Sequence, residues 1–373
     1  MFHLMFTLPG LYVIVRFLLP LPLPVLVKGA AVVLVLLASQ YHLFSRWSSG
    51  SVFDPEMPRA LIILFNWAFA AIVLLAFFQL AVDAVTGVAS LMTWNRLTIA
   101  PNVRYGIGIA AMVLSAIGVH QAIRVPPLKD IQIAVRDLPP AFEGYRLLQL
   151  TDMHLSRLFT QRWAQAVVDK THSLDVDLIV ITGDLIDGPV ESRINDVAPL
   201  KGLNAPDGVY FIPGNHEYFF DYTRWMKTFT DLGMRPLANS HAVLERAGDQ
   251  LVLAGVTDLS ARSAGLPGPD LNQAINGAPK NAPIILLDHQ PRKAREAAKK
   301  GVAVQLSGHT HGGLVWGLDR LFRSANGGFV NGHYDVDGMS LYVNNGTALW
   351  PGMALRLGRP SELTRITLTR ANP

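Results

Sequence analysis

The first third of the chain is dominated by long apolar runs. Residues 25–44, 60–82 and 105–123 are each long enough to cross the hydrocarbon core of a bilayer as one helix. The run 60–82 contains no charged residue, and 105–123 is rich in small residues that allow close helix packing. The pattern therefore predicts an N-terminal helical transmembrane region over residues 1–127.

A fourth apolar run, residues 4–22, is interrupted by Arg16, Pro9 and Pro20. We predict it as a first membrane span, joined to the run 25–44 in a tight hairpin, so that the region has about four spans. A cleaved signal peptide is the alternative. The length of the apolar run and the lack of a small-residue cleavage site after it argue against that alternative.

After Pro126 and Pro127 the pattern changes to short runs of Val, Ile and Leu that end in polar clusters and are bounded by Gly, Pro, Asn or Asp. Such runs predict buried strands. They are YRLLQLTD, DLIVITGD, GVYFIPGN, LVLAGVTD, PIILLDHQ, VAVQLSGH, SLYVNNGT and TRITLT. Helix-like stretches lie between them at residues 160–174 and 291–301. Residues 128–373 are therefore predicted to form one α/β domain.

Charge and composition narrow the range of functions. Residues 1–127 hold seven basic and three acidic residues, whereas residues 128–373 hold 25 of each. The balanced second part gives no reason to expect a nucleic-acid partner. The chain has no cysteine, which excludes disulfides and thiolate metal sites. Basic residues flank the two sides of the predicted spans equally, so the orientation in the membrane stays open.

Polar side chains follow five of the predicted strands. They are Asp152, His154, Asp184, Asp187, Asn215, His216, Glu217, Asp288, His289, His309 and His311. Because strand carboxyl ends border the ligand crevice of an α/β sheet, these groups are expected to lie together. Imidazole and carboxylate suit divalent Mn, Fe, Zn, Ni or Co, and the set exceeds what one ion needs. A pair of ions that share a carboxylate can clamp a phosphoryl group.

The motifs DMH, GDLID, GNHE, DH and GHTH follow one another in this order. This set resembles the calcineurin-like metallophosphoesterase superfamily, and most of all its bacterial membrane-linked branch with YkuE- and YaeI-like proteins. The resemblance covers about residues 130–370. It implies a four-layer α-β-β-α sandwich of two mixed sheets, to which the N-terminal helical transmembrane region is added.

The resemblance also implies a role for each residue of the set. Asp152, His154 and His311 would bind the first metal ion, Asp184 would bridge the two ions, and Asn215, His289 and His309 would bind the second. His216 would hydrogen-bond the phosphate and protonate the leaving oxygen, and Asp187 would orient His216. Glu217 and Asp288 are expected to be structural. Singly, each residue could be an ordinary loop residue, and only the ordered set favours a metal site.

The expected function is a membrane-anchored phosphohydrolase that cleaves a phosphoester or pyrophosphate bond with a metal-activated hydroxide. The membrane tether favours a lipid-linked substrate, such as UDP-2,3-diacylglucosamine, and a multi-pass location in the plasma (inner) membrane. The alternatives are a general phosphodiesterase or phosphatase acting on soluble substrates, and a non-catalytic metal-binding membrane protein.

Two further segments have two interpretations each. The basic residues of 292–300 form either a solvated helix face or a contact with lipid headgroups. The apolar segment 314–322, directly after the last predicted ligand, is either a packed loop or a lip that faces the membrane.

Overall fold

A computed structural model describes residues 2–95 and 97–371. The chain divides into two compact units. One comprises Met1–Ala122 together with Pro351–Leu357, and the other comprises Ile123–Trp350 and Gly358–Pro373. The sequence pattern places the boundary after residue 127 and does not assign 351–357 to the helical part.

The N-terminal part is helical. Its helices are α1 (Phe2–Val13) with a π-helical continuation (Ile14–Leu18), α2 (Val25–Ser39), α3 (Tyr41–Ser49), α4 (Arg59–Thr93) and α5 (Pro101–Ile123). Among the described residues, α4 and α5 are long and apolar enough to cross a membrane. Helices α2 and α3 meet at a bend of 49° and would form a third span only if they act as one.

The predicted span over residues 4–22 stays a prediction. The helical segment there runs through α1 and its π-helical continuation, from Phe2 to Leu18. Pro20, Pro22 and Pro24 follow it, and proline cannot continue a helix because it lacks the N–H donor. Within the described residues, two helices are long and apolar enough to cross a membrane, or three with the bent pair, and about four spans remain the prediction from the sequence.

Helix α4 extends beyond the predicted run 60–82 and includes Asp83. The carboxylate of Asp83 accepts hydrogen bonds from Tyr12 Oη at 2.6 Å and Gln79 Nε2 at 2.7 Å. It also pairs with Arg16 Nε at 2.9 Å. Ionisable groups within apolar helices pair in this way. The partners allow the helix to continue through a charged residue to Thr93.

The segment 351–357 forms hydrogen bonds within the helical unit. Tyr41 Oη and Asn66 Nδ2 each donate to the carbonyl of Pro351 at 2.8 Å. Asn66 Oδ1 accepts from the backbone N–H of Ala354 at 2.6 Å. Buried polar groups require such partners, and these bonds fix a short piece of the C-terminal sequence among the helices.

The second unit contains two six-stranded mixed sheets within the described residues. The strands are β1 (Leu128–Val135), β2 (Arg146–Leu150), β3 (Leu178–Thr182), β4 (Val209–Ile212), β5 (Arg235–Pro236), β6 (Ser240–Arg246), β7 (Asp249–Gly255), β8 (Ile284–Leu287), β9 (Val304–Ser307), β10 (Gly332–Val336), β11 (Met339–Val343) and β12 (Leu363–Arg370). The strand orders are β1-β12-β2-β3-β4-β5 and β10-β11-β9-β8-β7-β6. Strands β2, β3 and β4 are parallel, as are β7, β8 and β9.

The core lies between the two sheets. Leu147 and Val180 from the first sheet share one buried cluster with Leu287 and Leu306 from the second. Leu148, which alternates with Leu147 and points to the other face, is equally buried. Both faces of these strands are therefore covered, which explains their near-continuous apolar sequences.

Helices occur between the strands of this unit. They are α6 (Gln161–His172), α7 (Val190–Val197), α8 (Asn215–Phe219), α9 (Tyr222–Asp231), α10 (Leu271–Ala274), α11 (Ala294–Lys299) and α12 (Asp319–Phe322). Ala274 of α10 and Ala297 of α11 pack against Val252 and Leu286 of the second sheet. The predicted fold class, an α/β arrangement of two mixed sheets with helices, is confirmed.

Candidate metal centre

The carboxyl ends of five parallel strands bring the predicted polar residues together. Side-chain donor atoms lie within 4.8 Å of one another in three groups. The groups are Asp152, His154 and His311; His154, Asp184 and His216; and Asp184, His289 and His309. Asn215 lies beside them, with Oδ1 3.1 Å from His289 Nε2. Asp184 and His154 each belong to two groups, and of these two residues only Asp184 has a carboxylate, whose two oxygens can serve two ions.

Five of these residues have left-handed backbone conformations. The φ values are 51° at Asp152, 44° at His154, 53° at Asp184, 68° at His309 and 49° at His311. Non-glycine residues seldom adopt this region, and such strain costs about 1–3 kcal/mol per residue. Strain of this kind concentrates at functional sites, where the surrounding structure holds it in place. The amino-acid sequence does not indicate which residues adopt these left-handed conformations.

Two glycines allow the strand ends to approach one another. A Cβ atom on Gly214 would lie 2.2 Å from Asp184 Oδ1, and one on Gly308 would lie 2.3 Å from Asp152 Oδ2. Neither distance is compatible with a side chain. Glycine is therefore required at these two positions by the neighbouring carboxylates.

Local hydrogen bonds fix the orientation of the Asp152 carboxylate. Both oxygens of Asp152 lie 3.1 Å from the backbone N–H of His309, and Oδ2 accepts from Thr151 Oγ1 at 2.7 Å. His311 Nε2 lies 3.7 Å from Asp152 Oδ1. The turn that carries His309 and His311 is thus held against Asp152 by hydrogen bonds of the backbone.

The carboxylate of Asp184 is held in the same way. Asp184 Oδ1 accepts from the backbone N–H of His216 at 2.8 Å. His289 Nδ1 lies 2.7 Å from the carbonyl of Thr182, so its Nε2 faces Asp184 Oδ2 at 3.2 Å. A histidine whose one nitrogen is fixed by the backbone presents the other nitrogen to a metal ion.

Asp187 contacts two imidazoles. Its Oδ2 lies 3.1 Å from His154 Nδ1, and its Oδ1 is hydrogen-bonded to His216 Nδ1. The resemblance implies the contact with His216 but not that with His154. The motifs also do not indicate Arg193, which is fully buried and donates from Nε to the backbone carbonyl of Asp187 at 2.9 Å. No motif marks Arg193, which belongs to α7 rather than to a strand end.

Glu217 bridges two of the loops that carry these residues. Its carboxylate accepts the backbone N–H groups of Gly214 at 2.7 Å, Leu185 at 2.8 Å and Asp184 at 3.1 Å. Burial raises the pKa of Glu217 to about 7, and the nearby charge of Asp184 adds to this effect. All three contacts are with the backbone, as expected of a structural residue.

The electrostatics of the cluster favour a cation. Burial raises the pKa of Asp152, and the charge of Asp184 raises it further. Burial also acts to raise the pKa of Asp184, but the charges of His289 and His216 hold it well below its usual range. Burial acts to lower the pKa of His289, and the charge of Asp184 raises it well above its usual value. A proton on His289 thus compensates Asp184, and a metal cation can replace it.

The donor atoms also fit a cation geometrically. His154 Nε2 is buried and has no hydrogen-bond partner among the described residues. It lies 3.9 Å from both Asp152 Oδ1 and Asp184 Oδ2. These distances are too long for hydrogen bonds but leave room for an ion at about 2 Å from each donor. The residues therefore fit divalent cations of the kind that imidazole and carboxylate prefer.

Comparison with known proteins gives the family. The calcineurin-like phosphoesterase family model matches residues 145–313. A transmembrane protein with a metallophosphoesterase domain from Danio rerio is 35% identical over 271 residues, which are 70% of this chain and 62% of that protein. Its Bos taurus counterpart is 32% identical over 79% of this chain and 68% of its own length.

A bacterial relative is similar as well. The metallophosphoesterase YkuE of Bacillus subtilis is 32% identical over 242 residues, which are 63% of this chain and 82% of the bacterial protein. Together with the family model, these relatives show that the chain belongs to the calcineurin-like metallophosphoesterase family.

Proposed function

We propose that this protein is a membrane-associated hydrolase that uses two divalent cations to cleave a phosphoester or pyrophosphate bond. The observation that carries this proposal is the position of Asp184. Its carboxylate is shared by two groups of donor atoms and lies 4.0 Å from Nε2 of His216, an imidazole whose other nitrogen is held by Asp187.

Two of the three donor groups support the ligand assignment, and Asn215 is added because its Oδ1 lies 3.1 Å from His289 Nε2. Asp152, His154 and His311 would hold the first cation, Asn215, His289 and His309 would hold the second, and Asp184 would contribute to both. When bound, the cations lower the pKa of a water molecule and offset charge on the phosphoryl oxygens. The chain's own contribution is a buried, preorganised set of ligands, in which strained loops and glycines keep the donors in place.

His216 is the proposed proton donor. Burial acts to lower the pKa of its imidazole, but the charges of Asp184 and Asp187 raise it to about 9, which favours the protonated ring. Asp187 fixes Nδ1, so that Nε2 faces the cluster. From there the imidazole can hydrogen-bond a phosphoryl oxygen and pass its proton to the departing oxygen.

We further propose a lipid-linked substrate in the plasma (inner) membrane, with UDP-2,3-diacylglucosamine as the specific candidate. The supporting observation is the pair of membrane-length helices α4 and α5 in the same chain. Confinement to the bilayer raises the effective concentration of a substrate that is confined there too.

The test uses the full-length protein purified with manganese. Turnover is measured with a chromogenic phosphodiester, a phosphomonoester and the UDP-linked diacylated lipid. Asp184→Asn should abolish turnover, whereas Asp175→Asn, whose side chain is 92% exposed, should leave it unchanged. Turnover that survives in Asp184→Asn would refute the two-cation mechanism. Hydrolysis of soluble diesters without hydrolysis of the lipid would refute only the lipid-linked substrate.

A further inference from the structure

Large apolar side chains are exposed in the segment 314–323, which we call the lip. Trp316 is 72% exposed, Leu321 67% and Phe322 42%. Leu321 and Phe322 belong to the short helix α12, whose first residue, Asp319, is only 5% exposed. The helix thus turns its acidic residue inward and its apolar residues outward, which reverses the pattern of a helix that faces water. The exposed surface of the lip is therefore suited to an apolar environment.

The inverted orientation is fixed by contacts of Asp319. Its Oδ1 accepts the backbone N–H of Gly317 at 2.9 Å, and its Oδ2 lies 3.3 Å from Arg359 Nη2. A Cβ atom on Gly313 would lie 2.5 Å from the Cα atom of Asp319. Helix α12 therefore packs directly on the turn that carries His311, and its outward face cannot rotate inward without breaking these contacts.

Two basic residues lie beside these apolar side chains in the sequence. Arg320 and Arg323 of the lip are both exposed, whereas Asp319, the only acidic residue in 314–323, is buried. Arginine beside exposed tryptophan, leucine and phenylalanine is the composition of elements that lie in the headgroup region of a bilayer.

A second pair of arginines lies next to the lip. Arg292 and Arg295 are exposed, and Arg295 Nη1 donates to the carbonyl of Gly327 at 2.7 Å, four residues after the lip ends. Glu296, the exposed acidic residue of the segment 292–300, pairs with Lys293 at 3.7 Å. The charge around the lip is therefore predominantly positive.

We propose that the lip is a membrane-contact element, in which Trp316, Leu321 and Phe322 enter the interfacial layer of the bilayer and Arg320 and Arg323 bind anionic lipid headgroups. Tryptophan and phenylalanine favour this layer, and arginine is attracted by anionic lipid. The contact would place the turn of His311 at the bilayer surface. It does not depend on whether the candidate metal centre is hydrolytic.

The chain is suited to a direct test because it has no cysteine. A nitroxide is attached to Phe322→Cys in the full-length protein, reconstituted in bilayer discs of phosphatidylcholine and phosphatidylglycerol. The matched control is Ile194→Cys on α7, where the native side chain is 43% exposed, against 42% for Phe322. Relaxation of each label by oxygen, which partitions into lipid, is compared with relaxation by a water-soluble nickel chelate.

The label at 322 should be relaxed more by oxygen and less by the chelate than the label at 194. Equal ratios at both positions would overturn the proposal. Protection from both reagents would indicate a protein partner, such as a second copy of the chain, and would overturn it as well. Leu321→Cys repeats the measurement independently. Arg320→Gln with Arg323→Gln should reduce the depth of the label, and an unchanged depth would overturn the headgroup contact.

Discussion

The Nδ1 atom of His154 lies 3.1 Å from Oδ2 of Asp187, and this contact directs the other imidazole nitrogen toward Asp152 and Asp184. The same carboxylate holds Nδ1 of His216. Asp187 therefore links a proposed metal ligand to the proposed proton donor. A residue outside the ligand set can in this way control both metal affinity and proton transfer.

Asp187→Asn should lower turnover and metal affinity together, each by about 10- to 100-fold. The amide has nearly the shape of the carboxylate but has only one acceptor oxygen for the two imidazoles, and it cannot stabilise an imidazolium. Metal titration of the purified protein and steady-state kinetics measure the two effects. Asp175→Asn serves as the surface control, and a loss of turnover with unchanged metal affinity would show that the His154 contact is unimportant.

His216→Ala should reduce turnover by about 10²- to 10⁴-fold while both cations stay bound. The imidazole is close enough to Asp184 and His154 to be a metal ligand instead of a proton donor. The metal content of the variant separates these two roles. Elemental analysis of the purified variant decides between them, with His289→Ala as the variant that should lose metal. Metal loss in His216→Ala would make His216 a ligand instead of a proton donor.

The strands that carry the site could be predicted because both of their faces are buried. The strands β2, β3 and β9 lie in apolar runs of the sequence that end in polar clusters. This pattern is local, so it indicates the strands without knowledge of the tertiary structure. The apolar pattern does not indicate strand β1, since exposed residues alternate with more buried ones along most of its length. The alternation leaves too few consecutive apolar residues for the same signal.

The details of the site depend on contacts between distant residues and were not predictable. The left-handed backbone of Asp152 and the double contact of Asp187 exist because neighbouring loops hold them. Nor does the sequence of 351–357 show that it bonds to Tyr41 and Asn66, more than 280 residues earlier. Such relationships arise from the tertiary structure rather than from any local pattern.

Gly214→Ala should impair metal binding without unfolding the protein. The added methyl group would lie 2.2 Å from Asp184 Oδ1, so the proposed bridging carboxylate must move. Overpacking of this kind costs about 1–3 kcal/mol, which most domains tolerate. Elemental analysis and circular dichroism measure the two properties. Gly106→Ala, where no atom lies within 4 Å, is the control, and full metal content in Gly214→Ala would contradict the bridging role.

Glu217→Ala should destabilise the protein, because three backbone N–H groups lose their acceptor. Each buried donor left unsatisfied costs about 1–3 kcal/mol, so the free energy of unfolding should fall by at least about 3 kcal/mol. Thermal unfolding in detergent measures the change, with Glu245→Ala on β6 as the exposed control. Normal stability with abolished turnover would instead show that Glu217 acts in catalysis.

Removal of metal should lower the thermal stability of the wild-type protein. Without cations, the buried carboxylates of Asp152 and Asp184 depend on protonated histidines for compensation. Cations at 100 times their Kd that bind only the folded state add about 2.7 kcal/mol, which raises the Tm of a domain of this size by roughly 5–10 °C. Unfolding is followed after chelation and again after manganese is added back. Asp184→Asn should show little of this shift, and a Tm in the wild-type protein that does not respond to manganese would contradict the proposed metal centre.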